Sequence, residues 1–290
     1  MNILVTGKNG QLGSEFCNLS LDYKYHNFYF SDVESLDITN SELLNNYFVL
    51  NKIDLIVNCA AYTAVDKAEE EKDKANEVNN IAVGNLVRVC IKHNIKLIHI
   101  STDYVFDGNK NSPYSEGDKT NPIGTYGLSK SLGENQILKS NIKAIIIRTS
   151  WLYSSYGKNF VKTILRLSQE KNSISVVNDQ FGSPTNAKDL ADACMQTINQ
   201  SDSWLIRPEI FHFSNEGKCS WYDFAKKILE INKIKLDIVA VTSKEYPSKT
   251  KRPTYSLLNK EKIKSKFNIS IPQWDDSLRD CLKILGNKIQ

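Results

Sequence analysis

A phenol and an ammonium group stand four residues apart in Tyr126-Gly127-Leu128-Ser129-Lys130, a spacing that sets both on one face of a helix. Their joint chemistry is proton delivery. A free tyrosine ionises at about pH 10, too high for ready exchange near neutrality, and a neighbouring lysine charge is expected to favour the phenolate and lower that value. Such a pair suits protonation of a ketone oxygen as hydride arrives at its carbon. Alone the pattern is common, and a surface tyrosine beside a solvated lysine is its plain alternative. Ser101-Thr102-Asp103 supplies context. It follows an apolar run, at the carboxyl edge where open α/β sheets hold ligands, so the Thr102 hydroxyl is placed to hold a substrate carbonyl against Tyr126.

A phosphate-binding loop opens the chain. Gly7-Lys8-Asn9-Gly10-Gln11-Leu12-Gly13 follows a short strand and leads into a helix. Glycine is required where backbone turns tightly and must approach a pyrophosphate with no Cβ between, and the helix start offers N–H groups to the anion. Position makes this loop more telling than three glycines alone. Asp32 ends the second strand, about 20 residues beyond the loop, where a carboxylate accepts hydrogen bonds from an adenosine ribose and repels a 2′-phosphate, favouring NAD. Asp37 and Ile38 lie close behind, beside the adenine.

These groups need a parallel sheet to carry them. Strands are expected at Ile3–Thr6, Phe28–Ser31, Leu55–Asn58, Leu97–Ser101 and Ala144–Arg148, dense enough in Ile, Val and Leu for burial on both faces. Helices are expected from Thr39, by a capping box with Glu42, over Asp73–His93 with Val78, Ile81, Ala82, Asn85, Leu86 and Val89 on one face, and after Gly124. Further on, Gly157–Leu167, Asn186–Ile198, a segment from Ser220 to about Ile231, and Asp275–Leu285 read as helices, and Ile210–Phe213 as a strand. A Lys-rich stretch covers Lys244–Lys266. The fold class is thus α/β, a Rossmann-type doubly wound parallel sheet with a smaller C-terminal substrate lobe. Residues 1–150, with returning segments near 174–210, form the dinucleotide domain; 151–173 and 211–290 form mainly the lobe.

Composition narrows the partners. Among 290 residues 41% are hydrophobic, ample for a core, and the net charge is only +4 with basic residues dispersed, so no nucleic-acid stripe is expected. No leader or membrane-length apolar run is evident, and the chain reads as cytoplasmic. The six cysteines are scattered without a CxxC pair, and the four histidines show no metal-ligand spacing; neither disulfide nor metal site is expected.

Taken together, these strings resemble the extended short-chain dehydrogenase/reductase superfamily and, within it, the dTDP-4-dehydrorhamnose reductase family. The likeness covers nearly the whole chain: GKNGQLG from Gly7, VNCAAYTAVDKAE from Val57, STDYVFDG from Ser101, YGLSK from Tyr126, RTSWLY from Arg148, NDQFGSPT from Asn178, and Arg252-Pro253-x-x-Ser256-x-Leu258. The resemblance implies that Gly10, Gln11 and Leu12 lie against the cofactor pyrophosphate, with Ala61, Tyr62 and Thr63 lining the cofactor. It implies that Thr102 and Asp103 contact the sugar, that Tyr126 is the acid, that Lys130 holds Tyr126 and the nicotinamide ribose, and that Trp151 walls the deoxysugar. The implied reaction is reduction of the C4 ketone of dTDP-4-dehydro-L-rhamnose by NADPH or NADH, in a monomer or homodimer. Some members are described as dimers bridged by magnesium; Glu15 matches, but Lys188 stands beside Asp189 where an acidic ligand would help, so no bridging metal is expected. Two alternatives remain: a reductase or epimerase of another deoxysugar nucleotide, and a regulatory subunit resembling the methionine adenosyltransferase β subunit.

Overall fold

The computed structural model describes residues 1–246 and 250–289, with side chains to 286. Six parallel strands build the central sheet: β1 (Asn2–Thr6), β2 (Asn27–Ser31), β3 (Leu55–Asn58), β4 (Lys96–Thr102), β5 (Ala144–Thr149) and, after a long excursion, a strand over Glu209–His212. That late strand pairs with β5, giving the order 209–212, β5, β4, β3, β1, β2. Strand order reverses between β1 and β3, which opens a crevice at their carboxyl ends.

Alternation along the strands feeds two cores. Ile3, Val5, Leu55, Val57, Ile145 and Ile147 face one side, against α1 (Gln11–Leu19) and a helix over Ala187–Asn199. Leu4, Ile56 and Ile146 face the other, against α2 (Ser41–Leu50), α3 (Ala82–His93) and α4 (Thr125–Leu138). Only the edge strand β2 departs from two-sided burial, exposing Asn27 and Tyr29.

A third core belongs to the lobe. α5 (Phe160–Glu170), β6 (Ser173–Val177), α7 (Trp221–Ile231), β8 (Asp237–Val241) and α9 (Trp274–Ile289) build it, while α6 (the Ala187–Asn199 helix) lies in the first core and β7 (the Glu209–His212 strand) in the central sheet. Between them α8 (Glu261–Phe267) returns Ile263 and Phe267 to the sheet core. β6 pairs with β8, while β7 pairs with β5 and α8 packs on the sheet core.

Several local expectations are corrected. Asn40, not Thr39, caps α2, its side chain accepting from Glu42 and Leu43 N–H; Thr39 instead donates to Asp37. The expected helix over Asp73–His93 contains a π-helical turn at Glu77–Ile81, whose extra residue rotates Ile81 to the surface. α5 begins at Phe160, because Gly157 is left-handed (φ 61°) and Asn159 caps the helix. The helix expected from Ser220 is α7, and Ser220 and Asp223 cap it reciprocally. In the Lys-rich stretch, residues 247–249 lie outside the described residues. Among the described residues no cysteine is joined in a disulfide. Among the described residues, no helix is long and apolar enough to cross a membrane, and no three His, Cys, Asp or Glu side chains group to hold a metal.

Candidate active site

The crevice is a cavity of about 830 Å³ at the carboxyl edge of the sheet. From the β2 side to the β5 side it is lined by Asp32, Asp37 and Ile38, then Gly7, Gly10, Gln11, Leu12 and Gly13, then Ala61 and Thr63, and finally Thr102, Asp103, Tyr126, Lys130 and Trp151. Tyr62 is placed elsewhere: its hydroxyl donates to Glu71 and its backbone pairs with Asn79.

Local packing makes the loop a phosphate cradle. Gly7 is left-handed (φ 69°), and a Cβ on Gly13 would lie 2.2 Å from the Gly7 carbonyl oxygen, so α1 starts directly on the loop backbone. Gly10 is the N-cap and offers no side-chain cap, and the first turn holds no acidic residue; its amides suit an anion. Asp32 is tied to the loop, one oxygen accepting from Asn9 N–H at 2.8 Å and the other from Val33 N–H at 2.9 Å. A dinucleotide fits these groups: amides to donate to phosphate, a carboxylate to accept from ribose.

At the other end, α4 is drawn hard against the turn after β4. A Cβ on Gly127 would sit 2.1 Å from the Tyr104 carbonyl oxygen; glycine alone permits this approach. Gly124 caps the helix without a side chain, and Glu69 supplies the cap from afar, accepting from Thr125 N–H (2.8 Å) and Oγ1–H (2.7 Å), hydrogen bonds that hold its carboxyl below the usual range. From the π-turn, Asn79 donates to Ser129 Oγ and to the Tyr62 carbonyl, fixing α4 to the cavity rim.

Tyr126 packs edge-on against Tyr104, centroids 5.5 Å apart. Its phenol is pushed up to about 12 by burial; the Thr102 hydroxyl pulls it down, and Asp103 pushes it up. The expectation that Lys130 depresses this phenol is therefore corrected. Lys130 Nζ is turned onto the Ile100 carbonyl (2.6 Å) and toward His99 Nε2 (3.2 Å). Burial brings the ammonium down to about 8, with Glu134 and Cys59 opposing. Thr102 donates to Asp103 Oδ1 at 3.0 Å, and burial lifts the Asp103 carboxyl to about 6 against the Ser256 and Thr102 hydroxyls.

One turn beyond Lys130, Glu134 accepts two hydrogen bonds from Arg148 on β5 (2.9 and 2.7 Å) and one from Ser101 (2.5 Å). Both charges are 2% exposed. Such a pair, once formed, costs about 3–5 kcal/mol to break by removing one partner, so it locks α4 to β4 and β5.

Trp151 is left-handed (φ 49°), a strained setting for so large a residue. Its ring stacks on Trp221 at 3.6 Å and 11°, over Gly182, where a Cβ would come within 2.6 Å of it. Trp221 in turn lines a second cavity of about 220 Å³ with Val176, Gln180 and Arg252. Arg252 also reaches Asp66 at 3.1 Å, joining the lobe to the large domain.

Sequence reasoning missed several lining residues. Thr6, Thr149, Ser150 and Lys158 all face the first cavity. Thr149 and Ser150 sit inside RTSWLY, which could have flagged them. Lys158 carries no motif; it is brought in by Asn159, which donates to Gln11 Oε1 at 2.9 Å.

Comparison with known proteins agrees with this geometry. The chain is 38% identical to a dTDP-4-dehydrorhamnose reductase of Aggregatibacter actinomycetemcomitans, over 96% of this chain and 97% of that one. A crystal structure of a dTDP-4-dehydrorhamnose reductase from Clostridium acetobutylicum superposes with a TM-score of 0.93 at 39% identity, covering 99% of this chain and all of that one. Another from Bacillus anthracis, in complex with NADP, gives 0.92 at 37% identity, covering 98% and 99%. The family model described as the RmlD substrate binding domain matches residues 1–287, and the chain belongs to that family.

Proposed function

We propose that this chain reduces the C4 ketone of dTDP-4-dehydro-L-rhamnose to dTDP-L-rhamnose, using NADPH or NADH. The observation that carries the reading is the meeting of the glycine loop, Thr102, Tyr126 and Lys130 in one cavity. Gly10, Gln11 and Leu12 hold the cofactor pyrophosphate, Asp32 its adenosine ribose and Lys130 its nicotinamide end; when bound, the reduced nicotinamide supplies the hydride.

Tyr126 supplies the proton. Because burial keeps its phenol neutral near pH 7, it stands in the acid form a reductase needs. The oxygen it serves becomes an alkoxide as hydride arrives, a far stronger base than a phenolate, so transfer runs downhill even from a weak acid. Thr102 orients the carbonyl, and Lys130 positions the nicotinamide ribose beside it. Trp151 walls the deoxysugar, and the nucleotide follows past the stacked tryptophans into the second cavity, where Arg252 offers a cation to the diphosphate. The split into a dinucleotide domain and a sugar-nucleotide lobe follows the same division.

The test is an absorbance assay of 4-keto-6-deoxyhexose nucleotides with each reduced cofactor. Cofactor oxidation with the dTDP donor is expected. A chain that copurifies with oxidised cofactor and consumes none is an epimerase; one that binds a synthetase subunit and reduces no sugar is a regulatory partner.

A further inference from the structure

Lys130 has a partner the mechanism above does not use. His99 Nε2 lies 3.2 Å from Lys130 Nζ. On the far side of the ring, His99 Nδ1 is 3.0 Å from Asn58 Nδ2, and Asn58 Oδ1 accepts from the Thr6 hydroxyl at 2.7 Å. All four side chains are at most 2% exposed, while Thr6 and Lys130 both touch the cavity. A hydrogen-bonded row thus runs behind the cavity wall, from the loop strand β1 through β3 and β4 to the lysine on α4.

Proton counting restricts this row to two states. When Asn58 donates its amide N–H to Nδ1, a neutral ring carries its proton on Nε2, facing the lysine. Only an uncharged amine has a lone pair to accept it. When Lys130 is an ammonium, Nε2 must accept and the ring proton sits on Nδ1. Asn58 then turns its amide to present Oδ1, and its NH₂ meets Thr6 Oγ1 as acceptor. The states differ by one proton: Nζ has three in one and two in the other, and the ring proton changes nitrogen. An imidazolium does not intervene, because burial and the Lys130 charge hold His99 well below its usual range.

We infer that Thr6, Asn58 and His99 form a buried relay that couples the His99 tautomer to the charge of Lys130, making His99 a positioning residue for the proposed reduction. The inference rests on the reductase reading of Tyr126 and Lys130. Other groups bear on the lysine: Glu134 from α4, Cys59 after β3, and Arg148 on β5, which neutralises Glu134. Ionised Glu134 only accepts and Arg148 only donates, whereas an imidazole can do either at Nζ. The relay lets a buried lysine change charge without stranding an unpaired donor.

The test reads the tautomer directly. Nitrogen-15 NMR of the four histidines, with His99 assigned through His99→Gln, is recorded on the full chain from about pH 6 to about pH 10. His99 is expected as the Nδ1–H form at low pH and the Nε2–H form above the Lys130 transition at about 8, and the exchange should vanish in Lys130→Met. A single tautomer throughout overturns the relay. In turnover, His99→Leu should move the alkaline limb of kcat/KM about one pH unit lower, since the ammonium loses an acceptor, and His99→Gln should restore it. An unmoved limb in a folded His99→Leu also overturns the relay. Wild-type turnover is measured first: its absence would sink the reductase reading while leaving the NMR result standing.

Discussion

Replacing Tyr126 by phenylalanine removes one oxygen and little else. The ring keeps its edge-on contact with Tyr104, Gly127 still seats α4 against the Tyr104 carbonyl, and Glu69 still caps the helix, so fold and cavity should survive. What disappears is the proposed acid. General acid–base catalysis contributes about 10²- to 10⁴-fold. Burial pushes this phenol up to about 12, weaker than a free tyrosine, which places the loss in the lower half of that range: roughly 10²- to 10³-fold in kcat, or about 2.7–4.1 kcal/mol. The nearest substitute, the Thr102 hydroxyl, is already donating to Asp103 and is a poorer acid. Steady-state turnover of the 4-keto sugar, alongside fluorescence titration with NADPH, separates the two effects. Cofactor affinity should hold while kcat falls. Turnover within about threefold of wild type, well short of the loss of a general acid, would take Tyr126 out of the mechanism.

Three further outcomes test other parts of the site. Asp103→Asn should raise thermal stability at pH 7.5 and give no gain at pH 4. The unfolded chain releases this proton near 3.8 and the folded one near 6, so the fold binds more protons between them and loses stability as pH rises through that window, by roughly 3 kcal/mol in all; equal melting shifts at both pH values would refute the assignment. Asp32→Ala should raise the kcat/KM ratio of NADPH over NADH by roughly five- to tenfold, the ~1 kcal/mol of one solvent-screened charge pair, and an unchanged ratio would mean that the carboxylate does not reach the ribose. Gly13→Ala should weaken cofactor binding and destabilise by roughly 1–3 kcal/mol, because its methyl meets the Gly7 carbonyl and the Lys8 Cα within 2.6 Å; a wild-type dissociation constant and melting point would show that the loop yields.

How much of the site was legible depends on how local its causes are. The glycine loop needs seven consecutive residues to turn, free its amides and start a helix, so composition and order suffice to find it. Tyr126 and Lys130 share a helix face by spacing alone, and the unbroken apolar runs of β1, β3 and β5 announce strands buried on both sides. Where two local signals competed, the sequence misled. Thr39 and Asn40 are both good caps, and only the Thr39–Asp37 hydrogen bond removed the first from contention. Nothing in the run from Asp73 to His93 marked the π-turn that exposes Ile81 and buries Asn79. Tyr62 lies between two cavity residues yet points away, because Glu71 and Asn79 claim it.

The sequence by itself determined most of the elements, the glycine loop and the shared helix face of Tyr126 and Lys130, since each follows from hydrogen bonding and periodicity within a few residues. Tertiary structure decided the electrostatics around them. His99 reaches Lys130 across 31 residues and Glu69 caps the helix of Tyr126 across 56, contacts that exist only once strand order brings β3, β4 and β5 side by side. Burial by that same assembly, rather than the neighbouring lysine, sets where the phenol ionises, because desolvation depends on everything packed around a group and not on what is next to it in the chain.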